Sequence, residues 1–116
     1  MEKFEVVLCI LNNGFSEQAM DAARAVGARG GTIMHGRGTA SKDAEKLFNI
    51  TVQPEKEIVM ILVVSKIKDD VLKALYDAVG VNTAAQGIAF TLPVESVVGI
   101  GENQRKAQAS VDGEEK

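Results

Sequence analysis

The sequence predicts a single α+β domain in which a four-stranded antiparallel sheet carries two helices on one face. Three observations point to it: strand-like apolar runs, amphipathic helical stretches that follow the first and third of them, and glycine, asparagine or proline at the junctions.

The first run, Phe4 to Leu11, is almost continuously apolar and ends in the turn signal Asn12-Asn13-Gly14. Ser16 suits the N-cap of a following helix and Glu17 its positive end, while Ala19, Met20, Ala23 and Val26 recur at helical spacing until Gly27 stops them. Gly30-Gly31 opens a short second strand, Thr32 to His35, which runs into Gly36-Arg37-Gly38-Thr39. From there to Asn49 the chain is mostly polar and reads as a long exposed loop. Ile50 to Val52 extends briefly before Gln53-Pro54, and Ile58 to Val64 is an unbroken apolar stretch, the clearest strand in the chain. Asp69 and Asp70 suit a helix N-terminus, and Val71, Leu72, Leu75, Ala78 and Val79 form one apolar stripe ending at Gly80. After the polar stretch Val81 to Gly87 comes the fourth strand, Ile88 to Leu92, closed by Pro93. The domain therefore covers residues 1–100, with a loop region over 36–56, and the polar tail 101–116 reads as disordered.

This β-α-β-β-α-β order is the ferredoxin-like, split βαβ arrangement. With helices on one face only, strands of an isolated domain should alternate apolar and polar residues. The first and third do not. With Ile58, Met60, Leu62 and Val64 against the helices, Val59, Ile61 and Val63 point away, joined by Val7 and Cys9 or by Val6 and Leu8. Apolar surface of that extent marks an interface. The sheet should be covered by other copies or by a partner.

Composition narrows the function classes. A net charge of −3 and 4% aromatic residues give no basic, stacking surface for nucleic acid. No apolar run approaches the roughly 20 residues of a membrane span, and the Glu2-Lys3 start with no small-residue cleavage site does not read as a signal peptide, so the cytoplasm is the expected compartment. The single cysteine, Cys9, lies in an apolar strand and reads as a buried small hydrophobe rather than a nucleophile. The single histidine, His35, has no Cys or His companion, and no metal is expected.

The best candidate for chemistry is Gly36-Arg37-Gly38-Thr39: glycines that admit a ligand to the backbone, a guanidinium suited to phosphate or carboxylate, and a hydroxyl. The competing reading is that the glycines only end a strand and begin a loop. A P-loop is rejected, because Gly38 stands where Ser or Thr is required and a loop rather than a helix follows. Asn82 to Gly87, taken alone, is a connection.

The element order, the Gly36-Arg37-Gly38 start of a long loop, the loop ending in Gly87 before an Ile/Phe strand, and the ending Phe90-Thr91-Leu92-Pro93-Val94-Glu95 resemble the PII signal-transduction family over roughly Lys3 to Ile100. The resemblance implies a non-catalytic homotrimer with its sheets toward the three-fold axis. It also implies an ATP-, ADP- or AMP-type nucleotide in clefts between subunits, and a T-loop that contacts a membrane transporter or a metabolic enzyme. On it, Gly36 and Gly38 match the T-loop base, with Arg37 between them and Thr39 after. Gly87, beside Gln86, matches the end of the B-loop, Val64 falls near the apolar adenine wall, and Thr32 is a further match. The sequence departs from the family pattern where Thr39 and Ala40 replace an arginine and a glutamine and where Ile88, Gly99 and Gly101 replace basic residues. The Ala40 departure argues against 2-oxoglutarate sensing. Two other classes compete on topology: a metal-handling trimer of the divalent-ion-tolerance type, motivated by His35 and Asp43, and a small phosphate-handling enzyme of the acylphosphatase type.

Overall fold

The computed structural model describes residues 2–39 and 54–100. Its order is β1 (Phe4–Asn12), α1 (Ser16–Ala25), β2 (Thr32–Arg37), β3 (Glu55–Val64), a 3-10 turn (Ser65–Ile67), α2 (Lys68–Val79) and β4 (Ile88–Val94). The strands form one sheet in the order β2-β3-β1-β4, and every neighbouring pair is antiparallel. This is the predicted ferredoxin-like fold. The expected polar loop from Ala40 to Asn49, the short extension Ile50 to Val52 and the tail 101–116 lie outside the described residues.

The core lies between the sheet and the helices. Val7, Cys9 and Leu11 of β1 and Val59, Ile61 and Val63 of β3 are buried against Ala19, Met20 and Ala23 of α1 and Val71, Leu75 and Val79 of α2. The side of β3 is therefore the reverse of the arrangement considered from sequence: Val59, Ile61 and Val63 meet the helices. Ile58, Met60 and Leu62 face away. Burial pushes the Cys9 thiol up to about 11, so at neutral pH it stays protonated and inert.

On the helix-free face the register aligns three rows across the strands: Met34, Ile58, Ile10 and Ile88; Thr32, Met60, Leu8 and Phe90; and Leu62, Val6 and Leu92. Within one chain Ile88 is 53% exposed, Phe90 40% and Leu92 48%. A surface with one polar side chain in three rows is an interface-like face, as the lack of alternation predicted.

Several boundaries differ from the sequence expectation: β2 runs past His35 through Gly36 and Arg37, which are strand rather than loop residues, and β3 begins at Glu55 rather than Ile58. Strand β4 continues through Pro93 to Val94, which an edge strand tolerates because it needs ladder bonds on one side only. At α1 the predicted cap, Ser16, is the first helical residue, and Phe15 at the cap position makes no side-chain bond. The cap comes instead from Glu57 on β3, whose Oε1 accepts from the backbone N–H groups of Gly14 (2.9 Å) and Ser16 (3.3 Å). A carboxylate there satisfies free donors and meets the positive end of the helix.

Desolvation alone raises the Glu57 pKa. The bonds from Gly14 and Ser16, assisted by the charge of His35 on the paired strand, outweigh it and hold the carboxyl below its ordinary range. A carboxyl lowered by folding contributes stability that is present above its unfolded value of about 4.3 and lost as pH falls through the folded value. Urea melts of Glu57→Gln are expected to show a loss of about 1 kcal/mol at neutral pH, with the difference from wild type shrinking below about pH 4. An equal difference at both pH values would show that the charge is not the stabilising element.

Candidate ligand site

The fold brings the two loop ends to one end of the sheet but to opposite edges. Gly36 pairs with Lys56 on β3, Lys56 pairs with Asn12 on β1, and Gly87 immediately precedes β4. With β3 and β1 between them, β2 and β4 are separated by about 14 Å at ~4.8 Å per strand. One chain therefore does not close the Gly36-to-Thr39 segment and the Gln86-Gly87 segment around a single small ligand.

At the β2 edge, Arg37 and Thr39 are exposed; Arg37 pairs in the ladder with Glu55 of β3, and its guanidinium has no hydrogen bond or ion pair to another described residue. The Gly38 N–H donates to the Pro54 carbonyl at 2.5 Å, which closes the loop base. A carbon added at Gly38 would lie 3.1 Å from Cε of Lys56. The Lys56 ammonium donates to Asn12 Oδ1 at 2.7 Å, while Asn12 Nδ2 donates to the Ala84 carbonyl (3.0 Å) and its backbone N–H to that of Ala85 (2.9 Å). Asn12, 4% exposed, thus ties the loop base to the turn before β4. Sequence reasoning assigned Asn12 to a turn and passed over Lys56. The signal for both is the antiparallel pairing, which no local motif carries.

The turn before β4 is tightly bonded. The Thr83 hydroxyl donates to the Gly80 carbonyl (2.8 Å) and accepts from the Ala85 N–H (3.2 Å), and the Gln86 N–H donates to the Thr83 carbonyl (3.0 Å). Gln86 is exposed and takes a left-handed φ of 49°. Gly87 is buried, its N–H donated to the Val79 carbonyl at 2.7 Å. A carbon built on it would lie 2.5 Å from that oxygen. Gly87 closes the turn on the end of α2, and its backbone amide has no donor left for a ligand.

Thr32 and Val64 lie elsewhere. Thr32, paired with Met60, lines a cleft of about 670 Å³ with Val6, Arg29, Gly30, Gly31, Met60 and Leu62. Val64 is 1% exposed in the row of Phe4 and Val94, roughly 26 Å from Lys56 at about 3.3 Å per residue along β3. The wall that faces the cleft is supplied by Met60 and Leu62. Among the described residues no three His, Cys, Asp or Glu side chains converge as metal ligands, and no helix is long and apolar enough to cross a membrane.

The class defined is thus a ferredoxin-like α+β domain with one open apolar sheet face and ligand-suited groups divided between its two edges. No family model and no curated protein matches the sequence. Solved structures do. PII of Arabidopsis thaliana bound to citrate is 23% identical, with 89% of this chain and 90% of that one covered at a TM-score of 0.65. The B. subtilis GlnK–ATP complex is 16% identical, with 79% and 82% covered at 0.57. A Bacillus cereus protein related to NIF3 is 16% identical at 0.63, with 82% of this chain but 26% of that one covered. The chain has the fold of the PII signal-transduction proteins.

Proposed function

We propose that the chain is a divergent PII-type signalling protein, a non-catalytic regulator that assembles as a homotrimer and senses an adenine nucleotide or related small anion in clefts between copies. The observation that supports this most is the division of the candidate groups between opposite sheet edges, combined with the three apolar rows that one chain leaves uncovered. Copies packed through those rows bring the β2 edge of one toward the β4 edge of the next. The Gly36-to-Thr39 segment then faces a neighbour's Gln86, with Arg37 and Lys56 supplying positive charge. The neighbours bound to citrate and to ATP favour an anionic ligand.

In this reading residues 36–56 form the T-loop region, read by a protein target such as a transporter or metabolic enzyme, and the cytoplasm is where it acts. Ligand occupancy matters only through a difference in affinity between two states of that loop. Isothermal titration with ATP, ADP, AMP and cyclic AMP is expected to give saturable heat with at least one of them, weakened in Arg37→Gln. No heat with any of the four would remove the nucleotide-sensing reading.

A further inference from the structure

A cavity of about 350 Å³ lies on the helix side of the sheet, between α2 and the edge strand β4. Leu72, Leu75 and Val79 of α2 form one wall, and Cys9 and Ala89, paired in the β1–β4 ladder, form the other. The ladder row explains the space. From Val59 through Cys9 to Ala89 the side chains shrink toward the sheet edge from a branched group to a single methyl, which leaves the gap under α2 unfilled. With the apolar rows of the helix-free face the cavity shares only Ile88.

The lining is uniform in chemistry. Among the described residues, none that lines the cavity is charged, and the Tyr76 hydroxyl is the one strong hydrogen-bonding side-chain group. That oxygen accepts from Asn82 Nδ2 at 3.3 Å, which leaves its own proton to donate. At the opening Tyr76 is 57% exposed and Val81 55%, an aromatic and a branched side chain left in water beside a buried apolar wall. Such a pocket suits an uncharged ligand and disfavours an ion, whose desolvation nothing in the wall would offset.

The opening is also built to stay open. A carbon added at Gly80 would collide with the Tyr76 carbonyl, and one added at Gly87 with that of Val79, so no side chain can stand at either end of the connection. The Thr83 bonds to Gly80 and Ala85 fix the turn between them. An apolar cavity of about 150 Å³ already admits a benzene-sized molecule. The polar tail 101–116, with Val111 its largest apolar residue, is a poor match for such a pocket.

We infer that this cavity takes a small uncharged molecule with one aromatic ring, the ring held between Leu72 and Leu75 on one side and Ala89 on the other, and one acceptor group receiving the Tyr76 hydroxyl. Uptake here is separate from nucleotide sensing, which concerns the loop ends and the opposite face of the sheet.

Titration calorimetry on the full chain with acetophenone, ethylbenzene and benzoate tests this, each variant being checked by thermal melting. Acetophenone is expected to bind saturably and at least tenfold more tightly than benzoate, which has a similar size but a charge. Tyr76→Phe should weaken acetophenone at least threefold and leave ethylbenzene unchanged. Ala89→Leu, which fills the cavity, should abolish uptake of both, and the smaller step Ala89→Val should weaken both at least tenfold in a chain that melts no lower than wild type. Unchanged affinity in the two Ala89 variants, benzoate binding as tightly as acetophenone, or no uptake of any of the three overturns the inference. Uptake by Phe90→Glu but not by wild type would place a neighbouring copy in the cavity and overturn it equally.

Discussion

Gly87→Ala is expected to destabilise the chain by about 2–3 kcal/mol, among the larger single-residue effects available outside the core. The added carbon would be driven to 2.5 Å from the Val79 carbonyl and 3.4 Å from Leu11 Cβ, while the Gly87 N–H already holds that carbonyl at 2.7 Å. Relief requires the turn to lift off the end of α2, and with it the Ala84 and Ala85 carbonyls that Asn12 holds. Urea denaturation measures the change, and Gly38→Ala is the matched comparison. There the nearest atom is the flexible Lys56 stem, and the cost should stay below about 1 kcal/mol. Equal effects at the two glycines would contradict the assignment of Gly87 to structure and Gly38 to the loop base.

Phe90→Glu is expected to leave the chain folded and to take its assembly apart. Phe90 lies opposite Leu8 on the helix-free face, 40% exposed in one chain, so the helix-side core does not depend on it. In an assembly packed through this face it becomes a buried aromatic anchor, and a carboxylate in its place is an unpaired buried charge. Loss of such an anchor costs at least ~2 kcal/mol per interface, roughly thirtyfold in affinity. Sedimentation should show single chains with unchanged far-UV circular dichroism, and ligand binding that needs two copies should fall with them. An intact assembly carrying Phe90→Glu would show that another surface holds the copies together.

The fold was legible in the sequence because its signals are local. Ile58 to Val64 and Phe4 to Leu11 declare strands by composition, and Val71, Leu75 and Val79 declare a helix by spacing. Which side of a doubly apolar strand faces inward has no such signal. Val59 and Met60 are equally eligible, and the choice emerged only with the register that aligns Val59 with Cys9 and Met60 with Leu8. The α1 cap was hidden for the same reason, since Glu57 reaches Gly14 and Ser16 across a long stretch of sequence.

The candidate site was legible in part. Gly36-Arg37-Gly38 announced itself as a motif, and the structure leaves the Arg37 guanidinium exposed and without a side-chain bond among the described residues. Gly87 looked the same as a motif but is occupied in closing a turn. Lys56 and Asn12 carry no motif and gain meaning only from what stands beside them in space, Lys56 between Asn12 and Gly38.

The central claim is that copies of this chain cover each other's open sheet face and form ligand sites between them. Native mass spectrometry of the wild-type protein, with and without ATP or AMP, tests it most directly. The account predicts a species of three times the 12.3 kDa chain mass that takes up as many as three nucleotides. A protein that stays at the mass of one chain at micromolar concentration, with or without nucleotide, would contradict it.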